Sequence, residues 1–196
     1  QVNYLKNEKR ITVSDEQFAE DVLQRIGYFA LMGGYKELFR IPFSKKYKPG
    51  TSFDEIVLLY QFDAELRELF LKYLLQIERH IGNLIAYYFV EAHGISQTEY
   101  LNLCNYNNTP RNRKIISGLI RKLHGAVTTT DYAHINYYRT KYGNIPLWIT
   151  TSVLTFGSLS KMYNVLEQSL RSKICRHFPN INQRQLERFL SVLTKY

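Results

Sequence analysis

The sequence predicts an all-α fold, and three observations support this prediction. Apolar residues recur at steps of three and four along most of the 196 residues, which is the spacing of one helical face. Capping residues and glycine or proline stops bound these stretches. No segment shows the alternating apolar and polar pattern of a half-buried strand.

The first predicted helix begins at the capping-box sequence SDEQ, residues 14–17. It is expected to continue to Gly33-Gly34, with one apolar face formed by Phe18, Val22, Ile26 and Phe29. A lysine-rich loop with two prolines follows at about residues 38–50. Residues 1–50 are therefore predicted to form an N-terminal helical segment and a basic loop.

The longest predicted helix runs from Asp63 to His93, after a separate helical stretch capped by Thr51-Ser52. Its apolar stripe consists of Leu66, Phe70, Tyr73, Ile77, Ile81, Leu84 and Tyr88. At 1.5 Å per residue this helix would be roughly 45 Å long, enough to be the spine of one continuous domain over residues 51–196. His80 falls on the apolar face and is predicted to be a hydrogen-bonded core histidine.

Shorter helices are predicted after Gly94: from Pro110 to about His124, one closed near Gly143, one after Pro146, one from Gly157 to about Phe178, and one capped by Asn182. The last helix is expected to bury Leu186, Phe189, Leu190 and Leu193. The apolar spacing of this helix continues to Tyr196 without a helix stop, so we expect further sequence beyond this chain.

The composition narrows the class of protein. A formal net charge of +9 favours a polyanionic partner, either nucleic acid or an acidic membrane surface. No apolar run reaches the ~20 residues that cross a bilayer, and the first residues lack the apolar segment of a signal peptide. Cys104 and Cys175 are far apart and have no His or Cys at metal-ligand spacing. We therefore expect a cytoplasmic protein without a disulfide, a metal or a cofactor.

The common catalytic signatures are absent, including G-x-S-x-G, the P-loop, H-E-x-x-H and GxGxxG. The segment RSKICRHF, residues 171–178, fits a spacing R-x(4-6)-H through Arg171 and His177. Its basic residues also end a predicted helix, where the helix dipole favours positive charge. Helix-end stabilisation is the interpretation we prefer, which leaves no catalytic residue assigned.

Two stretches are candidates for RNA binding. The helix after Pro110 places Arg111, Lys114 and Arg121 on one side, beside Lys122, with a gap at Gly118. Such a stripe could follow phosphates, or it could be a solvated face.

The second stretch interleaves aromatic and basic residues, and its candidates are Tyr137, Tyr138 and Arg139, accompanied by Tyr132, Lys141 and Tyr142. Aromatic rings beside cations suit single-stranded RNA, because every base has a face that can stack. Packing in the core is the alternative for at least half of these rings.

Three charged residues of the long helix are candidates for orienting the side chains of a functional site. Glu78 lies on the helix flank beside leucines, where a carboxylate is partly desolvated and requires a cation. Asp63 and Arg67 are four residues apart, the spacing of a helical ion pair. A purely structural ion pair is the alternative for all three.

Three blocks of the sequence resemble the Abi-like (abortive infection) phage-resistance family of the AbiD/AbiF type. The first block contains Ile26-Gly27-Tyr28 and Gly34-Tyr35, and the second contains LYQFDAELR followed by Ile77, Glu78 and Ile81. The third contains Pro146-Leu147-Trp148 and LTFG, residues 154–157. The blocks stand in the family's order and together cover nearly the whole chain.

This resemblance implies an all-α HEPN-type helical bundle with a bacterial anti-phage role, RNA as substrate, and metal-independent RNA cleavage by an Arg and a His. It also implies a homodimer, and a cognate antitoxin or small RNA is a possible partner. The family's motif has the form R-N-x-x-A-H and follows the helix matched here by QRQLERFLSVLTKY, where this chain ends. Asp63, Arg67 and Glu78 would then orient cutting residues that this sequence does not contain.

Three hypotheses remain open at this point. The chain could be the scaffold of an RNA-cleaving defence effector, or a non-catalytic RNA-binding module. It could also be a protein-interaction domain whose positive charge meets an acidic protein.

Overall fold

The computed structural model describes residues 1–44 and 46–195, and these residues form an all-α protein, as predicted. Lys45 of the predicted basic loop and Tyr196 at the end of the last predicted helix lie outside the described residues. The chain divides into two compact units, Gln1–Lys72 and Tyr73–Tyr196. No described helix is long and apolar enough to cross a lipid bilayer.

The N-terminal unit contains α1 (Val2–Asn7), α2 (Glu16–Ile26), a π-helical turn (Phe29–Gly33), α3 (Gly34–Phe39) and the beginning of α4 (Phe53–His93). The Asp15 carboxylate caps α2 by accepting a hydrogen bond from the Phe18 N–H at 3.0 Å, so the helix begins within the predicted segment 14–17. The predicted capping box is wrong, because the Ser14 hydroxyl donates to the Asp54 carboxylate instead. The predicted end at Gly33-Gly34 is wrong. Gly27 ends α2 with a φ of +87°, which side-chain-bearing residues rarely adopt, and Phe29 is left 86% exposed.

The core of this unit forms where α2 and the π-helical turn meet the start of α4. Its buried residues include Val22, Leu31, Met32, Phe53 and Ile56. The backbone also ties the segment before α2 to the start of α4. The Thr12 N–H donates to the Thr51 carbonyl, and the Phe53 N–H donates to the Thr12 carbonyl, both at 2.9 Å.

Helix α4 is one helix of 41 residues where the sequence predicted two. It ends where Gly94 adopts a φ of +96°, at the predicted position. The predicted stripe is buried at Ile81 and Leu84, but Phe70 and Tyr73 are 59% and 52% exposed. The two compact units divide within α4, and these exposed residues lie on either side of that division.

The C-terminal unit holds the rest of α4 and seven further α-helices: α5 (Gln97–Tyr100), α6 (Arg113–Thr128), α7 (Ala133–Tyr142), α8 (Leu147–Thr150), α9 (Phe156–Val165), α10 (Gln168–Cys175) and α11 (Gln183–Leu193). Single 3₁₀ turns stand at Leu103–Asn105 and Thr151–Val153. The single helix predicted from Gly157 to Phe178 is wrong, because extended backbone at Leu166 and Glu167 separates α9 from α10.

Helix α9 is central to the core of this unit, because it packs against both α6 and α11. Leu159, Met162 and Tyr163 of α9 are buried there. A Cβ on Gly82 would lie 3.4 Å from a Leu159 methyl carbon, so glycine permits the close approach of α4 and α9. The Tyr100 hydroxyl, also buried, donates to the Ile145 carbonyl at 2.7 Å, and burial raises the pKa of Tyr100 to about 12.

The last helix confirms its predicted cap and half of its predicted buried face, and Leu193 is half-buried. Asn182 and Gln185 form a reciprocal capping box at the start of α11. Leu186 and Leu190 are buried, one turn apart. Phe189 is 52% exposed, so its predicted place in the core is wrong.

Candidate nucleic-acid interface

Five cations line one groove of the C-terminal unit, formed by the start and middle of α6 together with α9. They are Arg111, Lys114, Arg121, Lys122 and Lys161, and we call this cavity of about 420 Å³ the basic groove. The first four are the residues that the sequence predicted as a phosphate-following stripe. They meet in one groove because α6 buries another face, including Ile116, Leu123 and Ala126, in the core.

The charge of the basic groove is not compensated by neighbouring carboxylates. No Asp or Glu is among the residues that line the groove. Within residues 1–44 and 46–195, none of the five cations forms an ion pair. The Lys122 ammonium instead donates to the Ser158 hydroxyl at 3.3 Å. Five like charges in one concavity attract a polyanion and hold it where water is partly excluded.

Gly118 leaves an empty space at the base of the basic groove. A Cβ built on it would have no neighbouring atom within 4 Å, so the space above it is empty. The sequence predicted this gap from the lack of a side chain between Lys114 and Arg121 on the same face. The gap leaves room for a ligand group between the flanking cations.

Arg139 lies outside the basic groove, and its guanidinium donates to three protein acceptors. Its guanidinium donates to the Val127 carbonyl at 2.8 Å, the Thr130 carbonyl at 3.1 Å and the Asn136 side-chain oxygen at 2.6 Å. These hydrogen bonds satisfy carbonyls at the end of α6, where a helix leaves them without partners. Arg139 therefore fixes the connection between α6 and α7.

The predicted aromatic residues on α7 divide between core and surface. Tyr138 is half-buried against the core, whereas Tyr137 and Tyr142 are 50% and 56% exposed. The Lys141 ammonium lies 5.1 Å and 5.3 Å from the centres of these two exposed rings. Its hydrogen bond to the Tyr137 hydroxyl lowers the pKa of that tyrosine. None of these residues lines the basic groove.

Asp63 and Arg67 form an ion pair in the N-terminal unit. The Arg67 guanidinium lies 3.0 Å from the Asp63 carboxylate, which also accepts a hydrogen bond from the Tyr35 hydroxyl at 2.6 Å. Burial and this hydrogen bond raise the pKa of Tyr35. The pairing predicted from the four-residue spacing is confirmed, and the hydrogen bond from Tyr35 joins α3 to this ion pair on α4.

Glu78 belongs to the C-terminal unit, where it lines a cavity of about 320 Å³ with Arg79, Asn83, Trp148 and Ser152. No side chain within the described ranges 1–44 and 46–195 forms a hydrogen bond or ion pair with its carboxylate. The ion pair expected for Glu78 is therefore wrong for this part of the chain.

Arg171 and His177 have separate partners. The Arg171 guanidinium lies 3.9 Å from the Glu187 carboxylate of α11, and His177 Nε2 lies 2.8 Å from the Tyr88 hydroxyl of α4. Lys173, between them, pairs with Glu91 at 2.6 Å. These contacts attach α10 to its neighbours, which accounts for the basic residues of RSKICRHF without catalysis.

His80 is exposed, and its predicted place in the core is wrong. Its ring packs edge-on against Phe178, with centroids 5.5 Å apart, and lines a second cavity of about 530 Å³ with Tyr87 and His177. The periodicity placed His80 on the apolar stripe, but the buried face at this turn consists of Ile81 and Leu84, and His80 lies outside it.

Two parts of these sites were missed by the sequence prediction. Lys161 is the fifth cation of the basic groove, and Trp148 lines both the Glu78 cavity and the His80 cavity. Lys161 is a single cation in a mostly apolar helix, and its neighbours in space come from α6. The sequence contained one indication that Trp148 belongs to a site, since it is the only tryptophan in the chain.

The comparisons with known proteins agree with the three sequence blocks. A family model described as Abi-like protein matches residues 21–196, most of the chain. No curated protein and no solved structure matches the chain significantly. The family match includes the second half of α2, the whole of α4 and every helix that forms the basic groove. The chain therefore belongs to the Abi-like protein family.

Proposed function

We propose that this Abi-like protein binds RNA in its basic groove as part of an abortive-infection response to phage. One observation carries the proposal: five cations without ion-pair partners, among the described residues, line one groove that has no carboxylate in its wall. RNA phosphates neutralise such a charge set by releasing counterions, which favours binding. The groove's empty space at Gly118 gives the backbone room to pass.

The resemblance to the HEPN superfamily extends the proposal to a cytoplasmic RNA-cleaving scaffold. In such a scaffold a His acts as acid or base at the 2′-hydroxyl, and an Arg stabilises negative charge on the phosphate. The present sequence contains no R-N-x-x-A-H, so no residue of this chain is assigned to the cleavage step. Glu78, which lines a cavity and has no ion-pair partner among residues 1–44 and 46–195, is the best supported of the three proposed support residues.

A homodimer is the assembly that the resemblance supports, and an antitoxin or a small RNA is a further possible partner class. Light scattering of the purified chain measures the assembly directly. A mass of two chains agrees with the proposal, and a mass of one chain at high protein concentration contradicts it.

The proposed RNA binding is tested with a gel of this chain and end-labelled single-stranded RNA in EDTA. We expect a shifted and intact band at low salt, because the groove binds phosphates and no cutting residue is assigned. No shift at low salt would contradict the proposal and favour an acidic protein partner. Cleavage that is lost in Arg171→Ala or His177→Ala would contradict the structural roles of those residues.

A further inference from the structure

We infer that the Glu78 cavity is a binding site for a guanine base of single-stranded RNA. This inference rests on the proposed function for the source of the base. The cavity holds about 320 Å³, within the range of small-ligand sites. It lies wholly within the C-terminal unit and shares no residue with the basic groove.

Trp148 supplies an aromatic surface for the base. Its side chain is 41% exposed although α8, which carries it, is anchored by the buried Leu147 and Thr150 on either side. An indole that is fixed in place and partly open to solvent can stack a base at little conformational cost. Indole rings at such positions commonly contribute to binding rather than to the core.

The polar groups of the cavity define which base fits. Glu78 is half-buried, and its two carboxylate oxygens accept no hydrogen bond from the described residues. Asn83 and Arg79 are exposed in the same wall and have side-chain N–H donors without acceptors in the described chain. The cavity therefore offers two adjacent acceptors, with donors beside them.

Guanine is the base that complements this arrangement. Its Watson–Crick edge presents two neighbouring donors, N1–H and the N2 amino group, next to the O6 acceptor. A carboxylate can accept both donors at once, and an amide or guanidinium N–H can donate to O6. Adenine and cytosine place a ring-nitrogen acceptor beside their amino group. This ring nitrogen would face the Glu78 carboxylate, which is also an acceptor, so no hydrogen bond could form between them. Uracil has one N–H between two carbonyl oxygens.

A second cavity adjoins the Glu78 cavity and gives room for the next nucleotide of an RNA strand. Asn83 and Trp148 also line the neighbouring cavity of about 530 Å³, together with His80, Tyr87 and His177. Tyr87 is 64% exposed there. The nucleotide next to the guanine therefore meets further rings without any change in the position of Trp148.

Tryptophan fluorescence tests the inference, because Trp148 is the only tryptophan in the chain. It reports on the Glu78 cavity and the adjoining His80 cavity, and the Glu78 variant below distinguishes the two. The full chain is titrated with GMP, AMP, CMP, UMP and IMP, with excitation at the red edge of the indole band. We expect saturable quenching by GMP at a Kd at least about tenfold below those of AMP, CMP and UMP. IMP, which lacks the N2 amino group, should bind with intermediate affinity.

The matched variants are Glu78→Gln and Glu65→Gln, which make the same change on the same helix. Glu65 is exposed and does not line the cavity. Glu78→Gln should weaken GMP binding about tenfold or more, and Glu65→Gln should leave it unchanged. Asn83→Ala provides a second variant at an exposed position, and circular dichroism verifies that each variant is folded.

The outcomes separate this inference from the proposed function. Equal quenching by all nucleotides, no quenching, or unchanged GMP affinity in folded Glu78→Gln would overturn the guanine site. If the gel shift persists in those cases, RNA binding by the basic groove still stands. If GMP quenches selectively but RNA is not shifted at low salt, the cavity binds a free guanine nucleotide and the proposed function fails.

Discussion

Reversing three charges of the basic groove should change the salt dependence of RNA binding by a calculable amount. If all five cations contact phosphates, the logarithm of the binding constant falls with the logarithm of salt at a slope of about −0.7 × 5, or about −3.5. Replacing Arg111, Lys114 and Arg121 by Glu leaves two cations and a slope of about −1.4. A fourfold rise in salt would then weaken binding about 100-fold in the unmodified chain and about sevenfold in the variant.

Filter binding or anisotropy of labelled single-stranded RNA over a salt series measures both slopes. The matched control replaces Arg176, Arg184 and Arg188, which are exposed and lie outside the groove. Each Arg→Glu or Lys→Glu change lowers the charge by two, so both triple variants go from +9 to +3. If both variants show the same slope, net charge rather than the groove binds the RNA, and the reasoning from the groove's geometry is refuted.

Three further predictions concern stability and the role of single residues. Gly118→Ala should stabilise α6 by about 1 kcal/mol, because alanine is the better helix former and its methyl group meets only open space, and calorimetry should show a Tm higher by about 2–4 °C. Arg139→Lys keeps the charge but loses the fork of hydrogen bonds to Val127 and Thr130, so urea unfolding should show a loss of about 1–3 kcal/mol while the RNA salt slope stays unchanged. Stability should fall between about pH 10 and 12, because Tyr100 ionises near 10 when unfolded but near 12 when folded, so the folded state retains a proton that the unfolded state has lost. Tyr100→Phe should make this decline shallower in pH-dependent unfolding, and an unchanged decline would exclude Tyr100 as its source.

Local sequence signals predicted the helical elements well. They failed where packing between distant parts of the chain determines where a helix begins or ends. The cap at Asn182 and the stop at Gly94 depend on a few neighbouring residues, and both are found as predicted. Helix α2 also begins within its predicted segment, although Asp15 rather than Ser14 caps it. The continuity of α4 through residues 51–63 and the break at Leu166-Glu167 depend on packing, which periodicity does not report.

Burial was harder to predict than helix formation. Phe70 and Tyr73 continue the apolar spacing of α4 but are exposed, and neither belongs to the buried cluster of its own unit. Phe189 is adjacent to the buried Leu190 yet turns to solvent. A periodic pattern identifies which residues share a helical face, but other helices determine how much of that face is covered.

The same distinction explains how far the candidate sites could be predicted. Four cations of the basic groove lie on or just before one helix, so their spacing alone brought them together. Lys161 joins them only because α9 packs against α6, and Glu78 meets Trp148 only because the chain returns seventy residues later. A site whose residues share one helix can be predicted from the helical period of the sequence. A site formed by several helices can be predicted only when the packing of those helices is known. For this reason four of the five cations of the basic groove could be predicted from the sequence, and the cavity that we propose for the base could not.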